Sequence, residues 1–483
     1  MACCCWRHGC CCAATISIRR SRRWSGLRAQ GDRHVRDLAF IGFLVALFGL
    51  GFRRPFIFVL SYIYIDIVSP QRITYYLLNS VPISAIAAGL AVLGWLVVDD
   101  KSDSRFAPRQ ALVMLLLIYC GITTRNADFP IEAAGKWEWV WKNLAFAAFL
   151  PLTLRTKLRI EALLLFVVLS ASSIIIVGGI KTLASGGGYG ELNLMVANNS
   201  GLYEGSIISA VSISLIPIIL WFARHGTIYP PGRLVWLFCA ALTFACLLIP
   251  VGTSARTGLL CIGLLAVLML REVKKKFLYL AALGLAGAMA VPFLPSAFSE
   301  RMGTIKTYQA DESASTRLAV WKWTWDYVKD HPFGGGFDAY LQNRIRYDTV
   351  QVAGEGANRT VQRNLTVDKS RAYHSSYFEV LGEQGYFGLA LWLLINGIGI
   401  VRMEILRRRY REGEFAWAGS LAGALQHAHL IYLLGGAFVG IAFQSFLYMV
   451  IGAQIGLDTY LARRRSETAW RPMRRERPAL AES

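Results

Sequence analysis

The chain has 483 residues, of which 55% are hydrophobic and 17% charged, with a mean hydropathy of +0.42. Soluble domains carry about 25% charged residues. Here apolar stretches of about 20 residues, each long enough to cross a bilayer, recur along the whole length. This excludes a soluble globular enzyme, a disordered protein and a coiled coil. An outer-membrane barrel is excluded too, since its strands would alternate over about 10 residues. Net charge is +20, but the basic excess lies between apolar stretches and at the ends. A positive-inside bias explains it without a nucleic-acid partner. The expected fold is all-α: a polytopic membrane protein with about 12–13 transmembrane helices and one long periplasmic loop containing an amphipathic helix.

Residues 1–36 form a basic, Cys-rich extension. It holds six of the ten cysteines, Cys3, Cys4, Cys5, Cys10, Cys11 and Cys12. Packed triplets followed by arginines lack the spacing of a zinc site, and no cleavable small-residue site marks a signal peptide. Palmitoylation is one reading. The other is that translation starts near Val35, where the apolar pattern begins. Cys120, Cys239, Cys246 and Cys261 lie in apolar stretches, where Cys acts as a small hydrophobe.

The predicted spans are 37–52, 55–69, 80–98, 109–123, 138–154 and 160–180, forming an N-terminal bundle over 37–180. They continue as 203–223, 233–251, 256–271, 277–295, 376–401, 417–440 and 442–460 in a second membrane domain, 181–460. The last two are separated at Gly435, Gly436 and Gly440. The basic connections 155–159, 224–233, 271–276 and 402–411 and the tail 461–483 fall on one side, which is therefore expected to be cytoplasmic. The opposite side then holds 181–202, 252–255 and the loop 296–373. With thirteen spans the N-terminus would lie outside, against the charge of Arg19–Arg36, unless those residues are not made or the first two spans form one crossing.

The loop 296–373 carries eleven Lys or Arg and nine Asp or Glu, so it is a folded insert rather than a tail. Loops of that length are usually functional. Residues 315–330 are expected to form its amphipathic helix, with Leu318, Trp321, Trp325 and Val328 at helical spacing. Ser315 or Thr316 would cap the helix, and Pro332 with Gly334–Gly336 would end it. The tryptophans fit a helix on the membrane surface and equally a packing role.

No phosphate loop, H-E-x-x-H or Cys/His zinc spacing occurs, and the Gly triplets at 186–188 and 334–336 read as turns. Three features of the outer side remain. Gly252–Gly258 places Arg256 at the mouth of a span, Arg317 opens the loop helix, and His374 stands where the loop re-enters the membrane. Read singly, they also fit a snorkelling anchor, a surface charge and a histidine satisfied within a bundle. Read together, they fit a lipid-linked pyrophosphate donor. Guanidinium groups fork onto phosphate oxygens, and a histidine near its neutral pKa can take a proton from an attacking hydroxyl. That chemistry needs no metal and no cofactor.

At these residues the sequence resembles the bacterial O-antigen ligase superfamily. The carrying strings are S-A-R-T-G at 254–258, S-T-R-L-A-V-W-K-W at 315–323, H-P-F-G-G-G-F at 331–337 and H-S-S-Y-F-E-V-L-G-E-Q-G-Y-F-G at 374–388. Shorter strings, R-D-L-A-F at 36–40, R-R-P-F-I-F-V at 53–59 and S-P-Q-R at 69–72, resemble the O-glycosylation ligases associated with exosortase systems. The resemblance implies a multi-pass inner-membrane enzyme with its active site facing the periplasm. It would move a glycan from undecaprenyl pyrophosphate to a lipid, glycan or protein hydroxyl, without metal and with inversion. It also implies His374 as catalytic base and Arg256 and Arg317 as pyrophosphate binders, with Tyr377 and Glu383 in the substrate-binding motif. Asn198 and Asn199 fall where ligase-like members carry Asp-Asn-Asn, but Val196-Ala197 precede them here. A polymerase joining repeat units is the nearest alternative. A lipid-linked sugar transporter is less well matched, because charges lie at span ends rather than at mid-depth.

Overall fold

The computed structural model describes residues 37–74, 78, 81–101, 106–185, 201–271, 275, 276, 278, 281, 312–353 and 360–469. The N-terminal cysteine cluster, Asn198 and Asn199, most of the predicted span 277–295, residues 296–311 and the tail beyond 469 lie outside them. The chain divides into two units. Of the described residues, the first comprises those up to Asp99 and the second those from Asp100 onward.

In the first unit α1 spans 37–53, followed by α2 (Phe56–Val68) and α3 (Ile83–Val97). Ser69, with φ of 50°, breaks α2 from a single helical turn at Pro70–Ile73. The second unit contains α4 (Pro108–Arg125), α5 (Pro130–Thr153), α6 (Lys157–Ser185), α7 (Gly205–His225), α8 (Arg233–Gly252) and α9 (Arg256–Leu270). After these come the loop helix α10 (Glu312–Asp330), the strands β1 (Arg344–Ala353) and β2 (Thr360–Lys369), then α11 (Ser376–Arg409), α12 (Ala416–Gly436) and α13 (Ser445–Ala469).

The protein is an all-α polytopic membrane protein. Among the described residues five helical stretches are long and apolar enough to cross a bilayer: Phe56–Ile73, Lys157–Ala184, Gly205–His225, Arg233–Gly252 and Ser376–Arg409. The other predicted spans within the described residues coincide with helices that are shorter or more polar. α5 is 24 residues long but carries Lys136 and Lys142, and α12 buries Gln426, His427 and His429. Such polar groups are tolerated within a helical bundle when they bond to one another. His429 Nε2 is 2.7 Å from Asn396 Oδ1, and Arg109 Nη2 donates to Gln454 Oε1 at 2.8 Å.

The basic connections meet at one end of the second unit. Arg271 pairs with Glu404 at 2.7 Å, and Lys157 lies 4.8 Å from the centre of the Trp417 ring. Thr227 N donates to Glu161 at 3.0 Å, and Arg463 to the Leu154 carbonyl at 3.2 Å. The grouping read from Lys and Arg placement is therefore a spatial one.

The loop differs from expectation in two respects. α10 starts at Glu312, so Ser315 and Thr316 lie inside the helix rather than capping it. The expected apolar stripe splits: Leu318 and Trp325 are exposed (61% and 53%), Trp321 is half-buried, and Val328 is fully buried together with Val320 and Thr324. The reason is the partner. α10 packs against the start of α11 and the strand end at Ile345, and that contact selects the 320–324–328 row. The second difference is an antiparallel hairpin, in register from Arg344↔Lys369 to Ala353↔Thr360, where only a helix was expected.

Candidate functional site

α11 is two helices in one. Gly385 has φ of 65° and ψ of −165° inside it, a backbone conformation open to glycine. Tyr377 and Trp392 show the consequence. Fifteen residues of straight helix would separate them by about 22 Å, yet their rings meet edge-to-face at 5.5 Å. The arm 376–384 therefore folds back along the span that follows, and Phe378 and Leu381 pack beside Leu389.

The Gly-rich string 334–336 is the cap of this arm. Gly335 N donates to the Gly382 carbonyl (3.1 Å) and Gly336 N to that of Glu383 (2.9 Å), and the Tyr119 hydroxyl donates to the Gln384 carbonyl (2.9 Å). These are the orphan carbonyls of a helix end. Gly334, with φ of 80°, presses so close that a Cβ would collide with the Glu383 carbonyl. A triplet read as a flexible turn is thus a fitted one.

The other end of the arm carries His374. Its φ is 48°, in the left-handed region, where histidine is moderately tolerated. This single residue turns the chain so that Tyr373 and Ser375 are buried while His374 is exposed. α10 clamps the turn. Trp321 Nε1 donates to the Tyr373 carbonyl at 2.9 Å, and its ring stacks on Phe378 at 5.0 Å and 6°. Arg317 sits four residues before Trp321, on the same helical face. His374 has its pKa lowered, first by desolvation, then by the positive charges of Arg317 and Arg371, while Glu204 opposes the shift. The side chain is thus accessible to solvent yet partly desolvated.

Glu204 belongs to α7, whose N-terminus it caps by accepting from Ile207 N at 2.7 Å. The start of α7 is joined to the turn before α9. Ser209 Oγ lies 2.8 Å from Thr253 Oγ1, and a Cβ on Gly258 would lie 3.0 Å from that of Ser209 and 2.6 Å from that of Pro250. Ser254, at φ of 50°, reverses the chain there. Arg256 is then the first residue of α9, so its charge adds to the positive dipole end of the helix, where anions are favoured. A Cβ on Gly435 of α12 would lie 2.6 Å from that of Ala210 on α7, and one on Gly436 would lie 3.0 Å from Ser376 Oγ. The starts of α7 and α9, the end of α12 and the start of the arm therefore converge. Arg317 and Glu204 both act electrostatically on His374, and Arg256 opens the adjoining helix α9.

Tyr377 and Glu383 are engaged elsewhere. The Tyr377 hydroxyl donates to the Leu433 carbonyl of α12 at 3.2 Å. Glu383 is fully buried on the far face of the arm. Its carboxylate accepts from Lys136 Nζ at 2.8 and 3.0 Å and from Asp338 N at 3.1 Å. Lys136 also bonds Glu379 at 2.6 Å, and Glu379 accepts from Ala442 N at 3.2 Å. In this structure both side chains bond to neighbouring elements and so help to hold the arm. Lys136, Glu379 and Glu204 escaped the sequence reading. Two carboxylates four residues apart in an apolar segment do signal a missing cation, but local spacing does not point to Lys136, 243 residues away.

The second unit is thus a bundle of membrane-spanning helices with the basic connections at one end of α7 and α9 and, at the other end of these helices, Arg256 and the Glu204 whose charge reaches His374. Residues 241–393, which include Arg256, Arg317 and His374, match the family model described as O-Antigen ligase. Residues 35–227 match another, described as a family of unknown function (DUF5935). No curated protein matches the chain. The match over 241–393 is a likeness to the O-antigen ligase superfamily and supports a glycan-transferring membrane enzyme in general.

Proposed function

We propose that the protein transfers a glycan from an undecaprenyl-pyrophosphate carrier to a hydroxyl acceptor at the periplasmic face of the inner membrane. The observation that carries this reading is the seating of α10 on the His374 turn, where Trp321, one helical turn after Arg317, donates to the Tyr373 carbonyl at 2.9 Å and the Arg317 charge acts on His374, within the matched region. A guanidinium beside the imidazole keeps the imidazole neutral and able to accept a proton. His374 takes the proton of the acceptor hydroxyl as its oxygen attacks the anomeric carbon. The bond to pyrophosphate breaks on the opposite face, giving inversion. Arg256, at the dipole end of α9, and Arg317 stabilise the charge gathering on the leaving pyrophosphate. The proton on His374 then passes to solvent. Tyr377 and Glu383 act by fixing the arm that presents His374.

The test is transfer by the purified protein from a lipid-pyrophosphate glycan, with His374→Asn as control. Cells carrying only that variant should accumulate the lipid-linked donor and lose the glycosylated product. Transfer undiminished in the variant overturns the reading. The length of the product separates a ligase, which moves a finished glycan once, from a polymerase, which yields a ladder.

A further inference from the structure

At the basic end of the second unit a half-open cavity of about 250 Å³ is lined by Arg155, Thr156, Arg159, Tyr460, Arg463, Arg464 and Glu467. Four guanidinium groups thus share its wall with one carboxylate. We propose that this cavity binds a phosphate-bearing anion, presented by the headgroup of an acidic phospholipid in the adjoining leaflet.

The geometry is built rather than incidental. Arg463, only 7% exposed, donates to the Leu154 carbonyl at 3.2 Å, and Arg159 donates to that of Thr153 at 2.9 Å. These carbonyls end α5, so its negative dipole end holds the two cations in place without removing their charge. Thr156 caps α6 by accepting from Arg159 N at 3.2 Å. The positive end of that 29-residue helix therefore opens toward the same place, an arrangement that favours an anion. Arg464 lies 5.6 Å over the Tyr460 ring and bonds Glu467 at 3.0 Å, while Arg155 pairs with Asp100 at 3.3 Å. Guanidinium forks match phosphate oxygens two at a time.

The surroundings argue for a lipid source. Leu158, between Arg155 and Arg159, is 60% exposed, and Leu169 and Ile180 follow at intervals of eleven residues, 41% and 61% exposed. Eleven residues make about three turns, so the three leucine and isoleucine side chains form one apolar stripe down α6, leading away from the arginines. A headgroup in the cavity with an acyl chain along that stripe satisfies both. Basic pockets at helix ends on the cytoplasmic side take anionic headgroups by this logic.

The experiment uses the full chain in nanodiscs of phosphatidylcholine with and without phosphatidylglycerol, reading retained lipid by native mass spectrometry and melting temperature in parallel. Arg463 is left intact because it ties helix ends together; the variant is Arg155→Gln with Arg464→Gln. The wild type should retain phosphatidylglycerol and melt higher in its presence, and the variant should retain about 30-fold less, from two lost charges near a membrane surface. Inorganic phosphate is the competing arm. If it displaces the lipid and raises the melting temperature of the wild type alone, the anion chemistry stands and the source is soluble. Equal retention by wild type and variant, or a wild-type melting temperature indifferent to both phosphatidylglycerol and phosphate, overturns the site. None of these readouts depends on glycan transfer.

Discussion

Lys136 Nζ lies 2.8 Å from Glu383 Oε1 and 2.6 Å from Glu379 Oε1, so one cation from α5 staples two successive turns of the arm that begins beside His374. The Lys136 side chain is 12% exposed and those of Glu379 and Glu383 are 8% and 0%, so the cluster has little water to fall back on. Replacing Lys136 by Met leaves two buried carboxylates facing each other. Breaking a buried ion pair typically costs about 3–5 kcal/mol. Lys136→Met should therefore lower the melting temperature markedly in detergent, and Lys136→Arg should restore most of it. Unchanged melting of the Met variant would show that the staple does not hold the arm.

The His374 backbone sets which variant is informative. At φ of 48° an alanine adds backbone strain to the loss of the imidazole, whereas asparagine tolerates the left-handed region. His374→Asn should retain wild-type melting and lose transfer by about 10²–10⁴-fold, the usual cost of a general base. His331, whose ring stacks on Tyr327 at 4.2 Å, has no role in the chemistry. His331→Ala should change the rate little.

The electrostatics of His374 predict a pH dependence. Its pKa is lowered from the ordinary 6.5 by partial desolvation and by Arg317 and Arg371, with Glu204 pulling it up. A base must be unprotonated, so kcat/KM should hold above the lowered pKa and fall as pH drops through it. Arg317→Gln removes a cation and should move this acid limb to higher pH. Glu204→Gln removes an anion and should move it to lower pH. Opposite displacements measured by pH–rate profiles would support the assignment; limbs that coincide with wild type would count against His374 as the titrating base.

The two arginines should differ from lysine. Arg256→Ala and Arg317→Ala should each lower transfer by about 10²–10³-fold, the scale for a lost charge-stabilising donor. Lysine should rescue only partly, since an ammonium cannot reproduce the fork. Chelators should leave the rate unchanged.

The break in α11 is a stability requirement. Gly385 has φ of 65°, and a Cβ there would collide with the Pro332 carbonyl. Strained backbone of this kind costs about 1–3 kcal/mol before the collision is counted. Gly385→Ala should lower both melting temperature and membrane yield, and it should lower transfer too because the arm would lose its seat. Normal melting would mean that the arm has a second stable arrangement.

Much of this was legible before the structure. Apolar segments near 20 residues identify a helical membrane protein because a bilayer leaves no other way to satisfy the backbone. The clustering of Arg155, Arg271, Arg463 and their neighbours at one end follows from the alternation of spans. Local strings also singled out Arg256, Arg317 and His374, since each stands where a polar end meets an apolar run. What needed the tertiary structure were the long-range relations. Lys136 reaches across 247 residues to Glu383. Glu383 shares a motif with His374 but is bound, together with Glu379 four residues earlier, to Lys136. Of the expected stripe on α10 Val328 is fully buried, in a row with Val320 and Thr324, while Leu318 and Trp325 are exposed, because helical periodicity gives an angle between side chains, not the direction of the neighbour. The fold-back at Gly385 is a property of one φ angle, and a glycine in a sequence permits that angle without requiring it. Only the carbonyl of Pro332 and the cap at Gly334–Gly336, packed against it in three dimensions, make it the one conformation that fits.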